Sequence, residues 1–382
     1  MRHGQNVMLV ERSYLMTSNA RELAQIPSTP SGRRNLIING AAEVNQRATG
    51  TVNNGELMGA VDRFKGFAAA GGTFTLAQST DSPAGFNNSI LATVTSADSS
   101  IASGDFYGIT QRIEGQNIYH LGFGSSAAKT LTISFYVKSS VTGTFGGAIR
   151  NNAADRSFNF SYTINSADTW EQKTYTIEGD TSGTWLTTNG IGLRVSWSLG
   201  DGSSRLQAAG QWGSGNFAGV TGQTNLISTG SATLQLTGVQ LEVGSVATEF
   251  EHQKYCDTYL DCQRYYYKSG DNSTSSEEWF PGVATNAGKG PYYALGLDGI
   301  NDRAYPALQW PVQMRAAPSI TFYPGRSDST ATADRIARYN DSALVTFTQS
   351  PTPYSNGLTG YFLGTSADSP AYTYQIVADA EL

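Results

Sequence analysis

The residues of this chain that could run chemistry are scattered. Asp105, Glu114, Asp180, Asp201, Asp298 and Asp302 are the carboxylates a glycan hydrolase would draw on. Such hydrolysis needs two carboxyl groups about 5–10 Å apart across a sugar. Nothing in the spacing of these six brings two of them together. Asp180 and Asp201 stand in turn-like contexts, where aspartate bonds its own backbone, so solvated turn positions are expected for both. His3, His120 and His252 are far apart, and no partner for nucleophilic catalysis can be assigned to any of them; structural or surface roles are expected. There is no GxSxG elbow and no HExxH pair. The run Gly282-Val-Ala-Thr-Asn-Ala-Gly288-Lys289 looks like a phosphate loop. It has one residue too many, and Gly290 stands where Ser or Thr would hold magnesium, so it reads as a turn. Two cysteines, Cys256 and Cys262, are too few for a disulfide framework or a closed zinc site. Two reduced thiols, at least partly buried in a short helix, are expected. The reading is of a protein that is not an enzyme, with no catalytic residue, metal or cofactor to assign.

Aromatic side chains are the better lead. A flat ring packs against the C–H face of a sugar while Asn, Asp and Arg bond its hydroxyls. Trp197 shares the inward phase of a strand and belongs to a core. Trp170 is expected to pack at a sandwich edge. Trp185 and Trp212 lie in glycine-rich loops, and Trp279 and Trp310 stand beside Pro281 and Pro311. Trp185, Trp212, Trp279 and Trp310 are therefore the candidate ligand-binding residues. Pinning a loop onto a sandwich or filling a subunit interface is the commoner use of such rings.

The elements that would position them are strands. The chain has 382 residues and 42 glycines, with 15% charged residues against about 25% in an average globular protein. Many short strands joined by tight turns have this composition. Over residues 35–252, Leu131, Ile133, Phe135 and Val137 alternate with mostly polar residues. So do Phe158, Phe160, Tyr162 and Ile164, and again Ile191, Leu193, Val195, Trp197 and Leu199. Alternation puts one face in a core and the other in water. An all-β fold is expected, a jelly-roll β-sandwich. In the last strand, Leu234 and Leu236 are out of phase with Val239, Leu241 and Val243, which predicts a β-bulge at Gly238. Tyr255 to Gln263 reads as a short helix with Cys256, Tyr259 and Leu260 on one face. It opens a smaller β-rich unit over residues 253–382. Its strand candidates are Tyr292–Leu297, Ser319–Tyr323, Leu344–Phe347, Gly360–Leu363 and Ala371–Ala380. Residues 1–34 differ from the rest: a helix start at Asn19-Ala-Arg-Glu22, then a Pro/Ser/Gly linker from Pro27 to Gly32. A segment this short must dock on a partner or stay disordered.

The net charge is −6 and the only Lys/Arg pair of note is Arg33-Arg34, so no nucleic-acid partner is expected. No stretch approaches the roughly 18–20 apolar residues that cross a bilayer, so no membrane insertion is expected, and no secretory signal is seen.

Several motifs taken together resemble the tail-fibre and virion structural proteins of bacteriophages. They are Asn35-Leu-Ile-Ile-Asn-Gly40 with Gln46-Arg47, Gln111-Arg-Ile-Glu-Gly115, Leu131 to Lys138 and Gly210-Gln-Trp212. Thr237-Gly-Val-Gln-Leu-Glu-Val-Gly244, Phe250-Glu251 and Cys262-Gln-Arg-Tyr-Tyr266 follow. Met314-Arg-Ala-Ala-Pro318 and Ala378-Asp-Ala-Glu-Leu382 complete the series. The resemblance implies a jelly roll similar to carbohydrate-binding modules, then a β head, with residues 1–34 anchoring the chain to a tail or other virion protein. It implies a homotrimer, a virion location, and adsorption to a host surface polysaccharide. The alternatives are a structural virion component without a ligand (head fibre, collar or capsid decoration) and, after it, a glycan depolymerase or esterase.

Overall fold

The computed structural model describes residues 33–269 continuously. Beyond them it describes 292–296, 303–306, 309–324, 335–338, 344–346, 352–359, 362–363 and 371–382. The expected segment before Arg33, Trp279, Asp298, Asp302 and the glycine-rich run at 282–290 lie outside the described residues.

The chain is all-β apart from one α-helix and short 3-10 turns among the described residues. In order, the strands are β1 (Gly50–Met58), β2 (Phe64–Ser79), β3 (Ser89–Ser96), β4 (Phe106–Glu114), β5 (Leu131–Ser139) and β6 (Gly143–Arg150). Then come β7 (Ser157–Ile164), β8 (Glu171–Ile177), β9 (Ile191–Asp201), β10 (Leu206–Gln207), β11 (Trp212–Gly213), β12 (Gly219–Val220) and β13 (Thr233–Val243). Helix α1 (Tyr255–Gln263) leads into β14 (Tyr266–Lys268), β15 (Tyr292–Gly296), β16 (Arg303–Pro306), β17 (Ser319–Pro324) and β18 (Arg335–Arg338). The last are β19 (Leu344–Thr346), β20 (Thr352–Tyr354), β21 (Gly357–Thr359), β22 (Phe362–Leu363) and β23 (Ala371–Asp379).

The first large sheet runs β11-β7-β6-β9-β4-β2-β3-β13-β5-β8 and curls into a jelly-roll sandwich. Strand β2 belongs to both layers. Its Phe64–Phe67 half pairs with β4, and its Phe74–Ser79 half pairs with β3. Between them lies Ala68-Ala-Ala-Gly-Gly72. A Cβ on Gly71 would sit 2.5 Å from the Asp98 carboxylate, so the strand crosses between layers where side chains do not fit. The layers then face one another. Phe135 of β5 packs against Tyr162 of β7 and Trp197 of β9, with ring centroids 5.1 and 5.7 Å away. The predicted inward residues of β5, β7 and β9 are buried, Ile191 at the strand end excepted. Burying side chains of this size is worth about 1.5–3 kcal/mol each.

The bulge falls where the phase slip put it. Thr237 pairs with Tyr136 and Gln240 with Ser134, so one residue of β13 is extra. Gly238 has φ +58, and a Cβ there would lie 2.7 Å from the Phe86 ring. Gly238→Val is therefore expected to lose about 1–2 kcal/mol from backbone strain alone, with more from the displaced ring. Denaturant unfolding measures it. A loss under about 0.5 kcal/mol would mean the bulge can relax.

The second sheet is built on β23. Strands β14, β15, β17 and β18 all pair with it. The five strand candidates each hold a strand, β15, β17, β19, β22 and β23. Strands β16, β18, β20 and β21 had no strong period-2 signal, because each has only three or four residues. Helix α1 has the expected span, but its buried face is different. Thr258, Cys262 and Gln263 are buried, whereas Cys256 is exposed and Leu260 is 42% exposed. The apolar periodicity of so short a helix is weak, and docking against Asp62 and Arg63 decided which side turned inward.

Candidate functional site

Several of the motifs behind the family resemblance are tied together by buried polar contacts. The Asn35 amide accepts from Leu241 N at 3.0 Å and donates to Val239 O at 3.0 Å, filling the ladder gap beside the bulge. Gln111 exchanges two hydrogen bonds with the backbone of Ile38, 2.8 and 2.9 Å. Glu114, 1% exposed, accepts from Arg264 Nε and Nη2, each at 2.9 Å, and from the Tyr265 hydroxyl at 2.6 Å. Arg47 lies over the Tyr266 ring and reaches Asp62, Asp379 and Glu381. Arg63 lies over the Tyr265 ring and pairs with Glu381. Arg315 donates to the Ala380 carbonyl at 2.8 Å. Glu114, Arg47 and Arg63 join the second sheet to the sandwich at a seam, while Asn35 and Gln111 hold the segment before β1 onto the sandwich. Burial pushes the Asp62 carboxyl up to about 6, against the pull of Arg47. Burial, with Asp62 beside it, also holds the Cys262 thiol well above its ordinary range, which makes it a poor nucleophile.

Of the described carboxylates weighed for hydrolysis, Glu114, Asp180 and Asp201 are each tied into their own polar contacts, and Asp105 lies beside Asp201, its carbonyl accepting from Gly202 N at 2.9 Å. Glu114 belongs to the seam. Asp180 does bond its own backbone, accepting from Ser182 N at 3.1 Å. It is nevertheless buried at 1% exposure, because Arg156 clamps both its oxygens at 2.8 and 2.6 Å. Asp201 is 3% exposed and accepts from Ser198 and Gln223. Neither is the solvated turn residue expected, since both anchor the loops that fold over the sandwich. No group of three His, Cys, Asp or Glu side chains among the described residues could hold a metal ion.

Of the four tryptophans singled out, two come together. Trp185 and Trp212 stand edge to face, 5.6 Å apart, with Phe123 4.8 and 5.9 Å from them. Trp185 is 8% exposed, and Trp212, half-buried, donates to Glu178 O at 2.8 Å. Trp310 is 6% exposed and donates to Tyr354 O at 2.7 Å. Their rings are largely occupied in holding loops. Trp212→Ala is accordingly expected to cost about 2–3 kcal/mol, below the 3–5 of a fully buried tryptophan. Thermal unfolding reads this, and an unchanged melting temperature would return Trp212 to the list of ring platforms.

The outer faces of the two layers differ. That of β3, β13 and β5 is covered by the chain itself. Residues 248–251 bond Glu242 and Gln240, and Phe250 meets Phe86 edge to face with ring centroids 5.1 Å apart. The outer face of β4, β9 and β6 is covered at one end, where Gln223 reaches Ser198 and Gln207 reaches Asn159. At its other end Arg112 of β4 pairs in register with Arg194 of β9, and Arg194 with Arg150 of β6. A row of three guanidinium groups thus crosses three adjacent strands. Arg112 also bonds Glu56 and the Leu382 backbone oxygen, Arg194 the Asn152 carbonyl at 3.1 Å, and Arg150 the Asn216 side chain at 2.7 Å. Burial, then Arg194, pushes the Arg150 guanidinium down to about 10. Burial, then Arg112, lowers Arg194. Arg112 lies in the Gln111–Gly115 motif, but no motif holds Arg150 or Arg194. Outward arginines at strand ends read as ordinary solvated charges, and only the register of three strands brings them side by side.

No protein-family model matches the chain, and no curated protein matches it. Slight likenesses to solved structures exist. A putative sugar-binding protein from Bacteroides thetaiotaomicron is 13% identical, covering 55% of this chain and 100% of its own, with TM-score 0.32. A family 11 carbohydrate-binding module from Clostridium thermocellum, in complex with a β-1,3-1,4-mixed-linked tetrasaccharide, is 10% identical over 53% and 98%, TM-score 0.27. The enzymatically active domain of tailspike protein 4 of bacteriophage CBA120 is 11% identical, TM-score 0.29. That match covers 55% of this chain and 21% of the tailspike. None of these likenesses bears on ligand or reaction.

Proposed function

We propose that this chain is a non-enzymatic bacteriophage tail-fibre protein that adsorbs to a host surface glycan. The observation that carries the reading is the arginine row on the outer face of β4, β9 and β6. There, planar multi-donor side chains stand on rigid strands, while the opposite layer is covered by the chain itself. Guanidinium groups with Asn152 and Asn216 beside them offer the fixed donors and acceptors that hydroxyl-rich ligands need. The motif set from Asn35 onward supports the phage assignment. A homotrimer, anchored to the particle through residues 1–34, would present several weak sites to one surface, and linked sites bind far more tightly than single ones.

Purified protein should bind a host envelope fraction and compete with phage adsorption. Failure in both, or release of reducing ends or acyl groups from host polysaccharide, overturns the reading. A second reading is favoured by the seam, where the resemblance motifs serve assembly: a structural virion component without a ligand. It predicts no envelope binding, with incorporation into particles intact.

A further inference from the structure

We propose that the Arg112–Arg194–Arg150 row is an anion-binding site, and that its ligand is the repeated acidic group of a surface polysaccharide. The identity of the polymer rests on the glycan reading above; the anion site stands on the strands alone.

Residues directly opposite on paired strands have Cβ atoms about 4.5–5.5 Å apart, and like charges placed so are destabilising. Here the arrangement occurs twice in succession, at Arg112/Arg194 and at Arg194/Arg150. Arg112 pairs with Glu56 and bonds the Leu382 oxygen, whereas the side-chain bonds of Arg194 and Arg150 go to Asn152 and Asn216 and to no carboxylate among the described residues. The charged groups that act on Arg150 are Arg194, Asp201, Arg205 and Arg112, and those that act on Arg194 are Arg112 and Glu56. Arginines thus outnumber carboxylates on this face of a chain whose net charge is −6. One of the two carboxyls, Asp201, is pushed up to about 6 by burial, so it loses its charge as pH falls through that value.

Hydrogen bonding points the same way. Arg150 is 5% exposed, and its Nε has no hydrogen-bond partner; the buried Nε atoms of Arg112 and Arg194 have none either. Buried donors in folded proteins are almost always paired, and an exception calls for a reason. A carboxylate or phosphate group accepts two parallel bonds from one guanidinium, and arginine is suited to this where lysine is not. Adjacent strands are about 4.8 Å apart, so the row spans roughly 10 Å. That suits successive charges on a polymer better than one small ion.

The test is a titration of full-length protein with polygalacturonate, a glycerol-phosphate polymer, dextran and single-stranded DNA. Wild-type protein should bind at least one acidic polymer, more weakly as salt rises, and should not bind dextran. Preference between the first two ligands tells carboxylate from phosphate. Arg194→Gln should weaken that binding about tenfold or more, the usual value of one charge-assisted bond. Its melting temperature should stay level or rise, because like-charge crowding is relieved. Arg194→Lys keeps the charge but not the fork, and should weaken binding while leaving the salt dependence in place. Equal binding by wild type and Arg194→Gln, or no binding of either acidic polymer, overturns the site. DNA bound as tightly as the polysaccharides overturns the ligand class. If Arg194→Gln still adsorbs to host envelope as wild type does, the acidic-ligand assignment fails and the glycan reading survives. Intact polymer binding without envelope adsorption has the opposite meaning.

Discussion

Replacing Glu114 by alanine is expected to cost this protein about 3 kcal/mol of stability. Glu114 is 1% exposed and holds a two-pronged bond from Arg264 together with the hydroxyl of the fully buried Tyr265. Removing one partner of a buried ion pair costs roughly 3–5 kcal/mol, because the other charge stays behind without compensation. Arg264 retains 30% exposure, so water recovers part of that and places the loss at the lower end. The Tyr265 hydroxyl has no such recourse, and an orphaned buried donor alone costs about 1–3 kcal/mol. Glu114→Gln keeps one acceptor and should fall between wild type and alanine. The effect should be local as well as global. Amide exchange should quicken in α1 and β14, which carry Arg264 to the seam, and far less in β5 or β7. Unchanged exchange in α1 with a normal denaturation midpoint would show that the cation–π and Glu381 contacts hold the seam without Glu114.

Asp201→Asn is expected to stabilise the protein above about pH 6 and to do nothing below about pH 4. Burial raises the folded-state pKa of Asp201 from 3.8 to about 6. The folded state therefore holds this proton more tightly than the unfolded chain does. Below 3.8 both states are protonated and the group is neutral in effect. As pH rises from 3.8 to 6 the unfolded chain ionises first, and stability is lost. Above 6 the loss is complete, on the order of 3 kcal/mol at about 1.4 kcal/mol per pK unit. An amide oxygen can keep the bonds that Oδ2 accepts from Ser198 and Gln223, while the amide NH2 at the buried, unpartnered Oδ1 position takes back part of the gain. Melting temperatures of wild type and variant should converge near pH 4 and separate in favour of the variant by pH 7. A variant less stable at pH 7 would mean that attraction to Arg150 and Arg205 outweighs burial. Asp62, raised for the same reason, should make the wild-type curve fall over the same interval.

Strand content, inward residues, bulge and helix span were all legible in the sequence, because each is a local matter. A period of two fixes which side chains share a face, whatever strand lies next to them. The phase slip at Gly238 required an extra residue, and a left-handed glycine supplied it. The chain also carried the seam in plain view as motifs, but without their meaning. Asn35, Gln111, Glu114, Arg264 and Glu381 looked like separate family marks until folding put them in contact.

Three things were decided only by tertiary structure. Asp180 looked solvated and is buried, because Arg156 arrives from another loop. Cys256 looked inward and is exposed, because the seam chose the opposite side of α1. Arg112, Arg150 and Arg194 belong to three separate strands, and cross-strand register made them a row. Alternation along one strand specifies which face a residue takes. It carries no information about which distant residue will lie opposite, and at that level a face becomes a site.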